Sequence, residues 1–177
     1  MGRLWIRLCA EYDACMSFAA RCLILACGNT LREDDGVGPF LATWAEERWR
    51  VEPRVRVLSD HQWTPEMVED VAQAESVVFI DCATDSAPGL IRTMPVEPAA
   101  DTTKLGTHHL DASQLLALSK QLYGRMPHTS LLLTVGAASL ELREGFSEAV
   151  SKALPEAQQR LEDSVQGLLG SAMDQRA

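Results

Sequence analysis

The sequence predicts an α/β fold: a three-layer sandwich in which a twisted, mostly parallel five-stranded sheet carries helices on both faces. Three observations point there. Short apolar runs alternate with amphipathic stretches along the 177 residues, the pattern expected when strands and helices succeed one another. Several of the runs are continuously apolar, as in strands buried on both faces. Glycine, proline and polar residues separate the two kinds of segment.

The first strand is "RCLILACG", Arg21–Gly28, a short apolar run ended by glycine. An acidic loop, "CGNTLREDDGVG", then leads into a helix. From Gly36 onward Val37, Leu41, Trp44, Ala45 and Arg48 recur at helical spacing, with Glu46 and Glu47 opposite. "RVRVLS", Arg54–Ser59, is the second strand. "TPEMVEDVAQAE" opens the next helix with Thr64 as N-cap and Pro65 at the first helical position. "SVVFIDCAT", Ser76–Thr84, has the density of a central strand and carries Asp81 at its C-terminal end. "PGLIRTMPV" follows a Pro-Gly turn and is a peripheral strand, since Pro95 interrupts it.

"DASQLLALSKQLYG" predicts a helix capped by Asp111 with Gln114 three residues on, Leu115, Leu118 and Leu122 on one face, and Gly124 as its stop. "SLLLTVGA", Ser130–Ala137, supplies the fifth strand. Beyond it Phe146, Val150, Leu154, Ala157, Leu161, Val165 and Leu168 are periodic and helical, with a break or restart expected at Pro155.

Composition narrows the function. The chain is 46% hydrophobic and 23% charged, ordinary values for one globular domain, placed at residues 21–170. Residues 1–20 are expected to be an N-terminal extension, with Met16 as a second candidate start, and residues 171–177 a tail. No apolar stretch approaches the roughly 20 residues of a membrane span. A net charge of −9 and a pI near 4.9 argue against nucleic acid, whose binding draws on clustered Lys and Arg. Cys9, Cys15, Cys22, Cys27 and Cys82 are odd in number and form no C-x-x-C pair, which reads as reduced thiols of a cytoplasmic protein.

In a parallel sheet, ligands bind beyond the carboxyl ends of the strands. Those ends carry Glu33, Asp34 and Asp35 after the first strand, Asp81 after the third, and His108 with His109 before the Asp111 helix. The acidic loop lacks the spacing of a P-loop or a dinucleotide fingerprint, and its carboxylates oppose a phosphate. Two carboxylates plus an imidazole from separate loops suit a divalent first-row metal with open coordination positions. Glu33 and Asp34 are expected on a solvated loop face. Asp35 stands evenly between metal ligand and N-cap. Asp81, directly after "VVFI", needs a partner or a metal to offset its burial. His61, like either histidine of the pair, has an ordinary loop role as its alternative. No G-x-S-x-G elbow occurs, and nothing places a base beside Cys27 or Cys82, which are assigned to the core.

With these residues in hand, the chain resembles the [NiFe]-hydrogenase maturation endopeptidases from about Arg21 to about Val165. The resemblance rests on "GNTLREDDGVGP", "VVFIDCATDSAPG", "THHLDASQLLALSKQLYG" and "LLLTVGAASLELREGFS", in that order. It implies an α/β sandwich that removes a C-terminal extension from the hydrogenase large-subunit precursor after nickel insertion. It implies nickel presented by that precursor, with a surrogate divalent ion such as zinc able to take the site. Carried over by position, the metal-binding and, through the shared metal, catalytic residues are Asp35, Asp81 and His108. His109, His61 and Asn29 form a second tier: His109 adjoins the matched histidine, and His61 and Gln62 stand where some members carry a glycine-rich loop. Two other readings use the same ligands, a self-sufficient metallohydrolase and a nickel-sensing or metallochaperone module without enzymatic activity.

Overall fold

The apolar run after Arg21 forms β1, Cys22–Cys27, buried along its whole length. β2 spans Val55–Asp60, β3 Ser76–Ala83, β4 Ile91–Pro95 and β5 Thr129–Gly136. A computed structural model describes residues 21–100 and 110–174, and in it these strands form one sheet in the order β2-β1-β3-β5-β4. The β1–β2, β1–β3 and β3–β5 pairs are parallel. β4 lies antiparallel to β5 at the edge, where Pro95 leaves no interior ladder broken.

The helices are α1 (Val37–Arg48), α2 (Val68–Gln73), α3 (Ala112–Tyr123) and α4 (Glu148–Asp174). Alternate side chains of the central strands feed two cores. Cys22, Ile24, Ala26, Val78 and Ile80 pack with Val37, Leu41 and Ala45 of α1 and Ala157, Leu161 and Val165 of α4. Leu23, Leu25, Val77 and Phe79 pack with Val71 of α2 and Leu115 and Leu116 of α3. Both faces are therefore covered, which is why these strands read as unbroken apolar runs. Among the described residues no helix is long and apolar enough to cross a membrane.

Local signals held well at α3. Asp111 Oδ1 accepts the Gln114 N–H at 2.8 Å, Gln114 Oε1 accepts the Asp111 N–H at 2.9 Å, and Gly124 ends the helix at φ 68°. Its buried stripe differs from the expected one. Ala112, Leu115, Leu116 and Ser119 face inward, and Ser119 Oγ donates to the Arg125 carbonyl. The stripe closes there, so Leu122 stands 64% exposed.

Two other expectations are corrected. Thr64 occupies the N-cap position of a 3₁₀ turn, Pro65–Met67, that precedes α2, but its side chain makes no cap hydrogen bond. Pro155 does not interrupt α4, which is continuous and runs on into the expected 171–177 tail. Pro155 removes a hydrogen bond from the Ser151 carbonyl, and both residues face solvent, where water can satisfy the freed group.

Candidate active site

The order of the strands creates the site. From β1 the chain moves outward to β2, and from β3 it crosses to β4 at the opposite edge. The loops leaving β1 and β3 therefore diverge and open a crevice at the carboxyl ends of two adjacent strands. Asp35 enters it from the first loop and Asp81 from the end of β3.

The first loop folds back tightly onto its own strand. A Cβ on Gly28 (φ +142°) would lie 2.0 Å from the Asp35 carbonyl oxygen, and one on Gly38 would lie 2.0 Å from that of Cys27. Only glycine admits both approaches. They seat the start of α1 on the end of β1 and bring Asp35 back beside Asn29. The Asn29 N–H donates to Asp35 Oδ2 at 3.0 Å, and Asn29 Oδ1 accepts the Leu31 N–H at 2.9 Å. Asp35 itself lies in a 3₁₀ turn, Glu33–Gly36, and the N-cap of α1 is Gly36 without a side-chain cap. Its carboxylate is therefore not spent on capping α1.

Asp81 Oδ1 accepts the Cys27 thiol at 3.2 Å and the Cys82 N–H at 2.7 Å. Burial, the largest influence, holds its carboxyl above the usual range; the two hydrogen bonds oppose that, and the negative charge of Asp35 adds to it. Burial likewise raises Cys27 far above an ordinary thiol, reinforced by Asp81 and Asp35, and pushes Cys82 up to about 12. Neither sulfur is a thiolate near neutral pH, so neither is primed as a nucleophile.

The structure overturns the solvated reading of Glu33 and Asp34, which are 1% and 0% exposed. Asp34 Oδ2 accepts the N–H groups of Ala138 (2.8 Å) and Ser139 (3.1 Å), and Oδ1 that of Ser147 (2.7 Å). Burial raises its pKa, but the donors from Ser147, Ala138 and Ser139 together outweigh burial and lower it. Glu33, at φ 48°, pairs with the Arg143 guanidinium, and its N–H donates to the Arg143 carbonyl at 2.7 Å. The segment after β5 thus clamps the acidic loop. These two acids hold the loop so that Asp35 alone of the three faces the crevice with Asp81.

His108 and His109 lie outside the described residues. His61 is exposed, its N–H bonded to Asp60 Oδ1, and among the described residues nothing links its imidazole to Asp35 or Asp81. Among the described residues no three His, Cys, Asp or Glu side chains group as a metal centre. The donor chemistry nevertheless suits a divalent cation. Asp35 Oδ1 and Asp81 Oδ2 accept no hydrogen bond among the described residues, leaving hard oxygen donors from two separate elements. A cation between them would also relieve the repulsion that each imposes on the other.

Known proteins match this architecture and sequence. The hydrogenase maturation protease (HycI) family matches residues 44–164. The hydrogenase 2 maturation protease of Escherichia coli K12 is 27% identical over 134 residues, 73% of this chain and 81% of that protein. The hydrogenase maturating endopeptidase HybD of E. coli superposes with a TM-score of 0.70 at 21% identity, covering 83% of this chain and 93% of that one. The [NiFe] hydrogenase maturation protease HybD of Thermococcus kodakarensis gives a TM-score of 0.60 at 21% identity, over 81% and 97%. These two share the fold, while the family match covers well over half of the chain. The chain therefore belongs to the hydrogenase maturation protease family and is an endopeptidase of that family.

Proposed function

We propose that this endopeptidase removes the C-terminal extension of a [NiFe]-hydrogenase large-subunit precursor after nickel has been inserted, and that it reads the precursor's own nickel. The observation that carries the proposal is the convergence of Asp35 and Asp81 at a crevice whose neighbouring thiols, Cys27 and Cys82, are held protonated. A peptidase site without an activated side-chain nucleophile needs an electrophile from elsewhere. A substrate-borne metal ion supplies one by polarising the scissile carbonyl or acidifying a water.

In this reading Asp35, Asp81 and His108 complete the coordination of that nickel, and zinc serves as a surrogate ion. Asn29 orients Asp35 through its backbone N–H, and the thiol of Cys27 orients Asp81. His109 and His61 stay in the second tier as alternative imidazoles near the substrate. The reaction belongs in the cytoplasm, where the five cysteines stay reduced.

The test incubates the protein with nickel-loaded and nickel-free precursor and weighs the products. Shortening of the loaded precursor alone is expected. Equal cleavage of both would favour a self-sufficient metallohydrolase, and binding without cleavage a metallochaperone; either result overturns the proposal.

A further inference from the structure

Beside the acidic loop, between α1 and the segment that follows β5, lies a groove of about 560 Å³. Its walls are aromatic: Phe40 and Phe146 meet edge to face at 5.5 Å, and Trp44 continues the surface. Its rim carries the exposed acids Glu47 and Glu144, and among the described residues no Lys, Arg or His lines it. Glu33 lines it from the acidic loop. That side chain is 1% exposed; one carboxylate oxygen pairs with Arg143, while Oε2 is buried with no hydrogen-bond partner among the described residues. A desolvated carboxylate oxygen with no donor is costly, and a ligand that brings a donor relieves the cost.

We infer that this groove receives an arginine side chain of the precursor, next to the segment that meets Asp35 and Asp81. Naming the precursor rests on the function proposed above; the chemistry of the occupant rests on the groove. A guanidinium is weakly hydrated, stacks on aromatic rings and presents a fork of donors, so it can meet Glu33 Oε2 and a rim carboxylate together. Its aliphatic stem covers the aromatic walls. A neutral aromatic ligand would leave the acids unanswered, and an anion would be repelled. The groove and the candidate carboxylates share one loop, because Thr30, Glu33 and Gly36 line the groove and belong to the turn that carries Asn29 and Asp35.

Two arms test the inference on the full chain. In the first, the isotope-labelled protein is titrated with acetyl-Gly-Arg-Gly-amide and with its glutamine analogue, reading the Trp44 indole and Gly145 amide resonances. Saturable shifts with the arginine peptide alone are expected, weakened about fivefold in the Glu47→Gln/Glu144→Gln double variant, whose substitutions are solvent-exposed. No shifts, or equal shifts with both peptides, would overturn the assignment of the occupant. In the second arm the same double variant cleaves nickel-loaded precursor, with KM expected to rise about tenfold at unchanged kcat. An unchanged KM would overturn the precursor as the source of the arginine. Should the wild-type protein not cleave the precursor at all, the proposed function fails with that source, while the peptide titration still decides what the groove binds.

Discussion

The Cys27 thiol donates to Asp81 Oδ1 at 3.2 Å, joining the carboxyl ends of two adjacent parallel strands where the candidate carboxylates converge. The bond makes Cys27 a positioning residue. Its burial and the two nearby carboxylates keep it protonated. Cys27→Ser preserves a donor of similar reach, so precursor cleavage should stay within about tenfold of wild type, the scale of one altered hydrogen bond. A fall of several orders of magnitude in kcat/KM would instead mark the sulfur as a nucleophile.

Asp81→Asn separates charge from shape. The amide oxygen can still accept from Cys27 and the Cys82 N–H, so the melting temperature should move by no more than about 5 °C. Cleavage of nickel-loaded precursor should be lost, because the substituted side chain is a poor ligand for a divalent ion. Mass spectrometry of the product and a thermal melt decide it together; a stable and fully active variant would remove Asp81 from the site.

Asp34 anchors the acidic loop to the segment after β5 and should matter for stability. Asp34→Asn removes the charge and mismatches one of three N–H donors, which should cost about 3 kcal/mol, or roughly 6–12 °C in a chain of this size. The folded state lowers the Asp34 pKa from its ordinary value of 3.8. Its contribution is therefore fully present above that value and is lost as pH falls through the lower folded value. Urea unfolding of both proteins should show the wild-type advantage intact at neutral pH and shrinking below 3.8. A constant gap across that range would contradict the anchoring role.

Gly28 and Gly38 are predicted to tolerate no side chain. An alanine Cβ at either would sit 2.0 Å from a backbone oxygen that has little freedom to retreat. Each substitution should cost more than about 3 kcal/mol and displace Asp35 or the start of α1. Among the described residues nothing lies within 4 Å of a Cβ built at Gly167, so Gly167→Ala in α4 is the control and should be neutral or stabilising. A Gly28→Ala protein melting with wild type would show that the loop does not fold back as described.

Much of the fold was legible because its causes are local. Continuous apolar runs marked β1 and β3 as doubly covered, and Pro95 marked β4 as an edge. Asp111, Gln114 and Gly124 lie within one helix of each other, so the bounds of α3 followed from nearby residues alone. The candidate site was legible in outline, since Asp35 and Asp81 stand after apolar runs whose ends a parallel sheet gathers together. The exposure of Leu122 and the continuity of α4 through Pro155 are not legible locally, because which side of a helix meets solvent depends on what packs against it.

The acidic loop marks the boundary between the two kinds of information. Its sequence determined a turn between a buried strand and a helix, with glycines where the backbone comes closest and carboxylates at the sheet's functional end. The tertiary structure decided which carboxylate does what. Asp34 meets Ala138 and Ser147 across separations of 104 and 113 residues, and Glu33 meets Arg143 across 110. Three adjacent acids look alike in a sequence. They differ in the fold because donors brought from beyond β5 hold Asp34 and one oxygen of Glu33 and leave Asp35 facing Asp81.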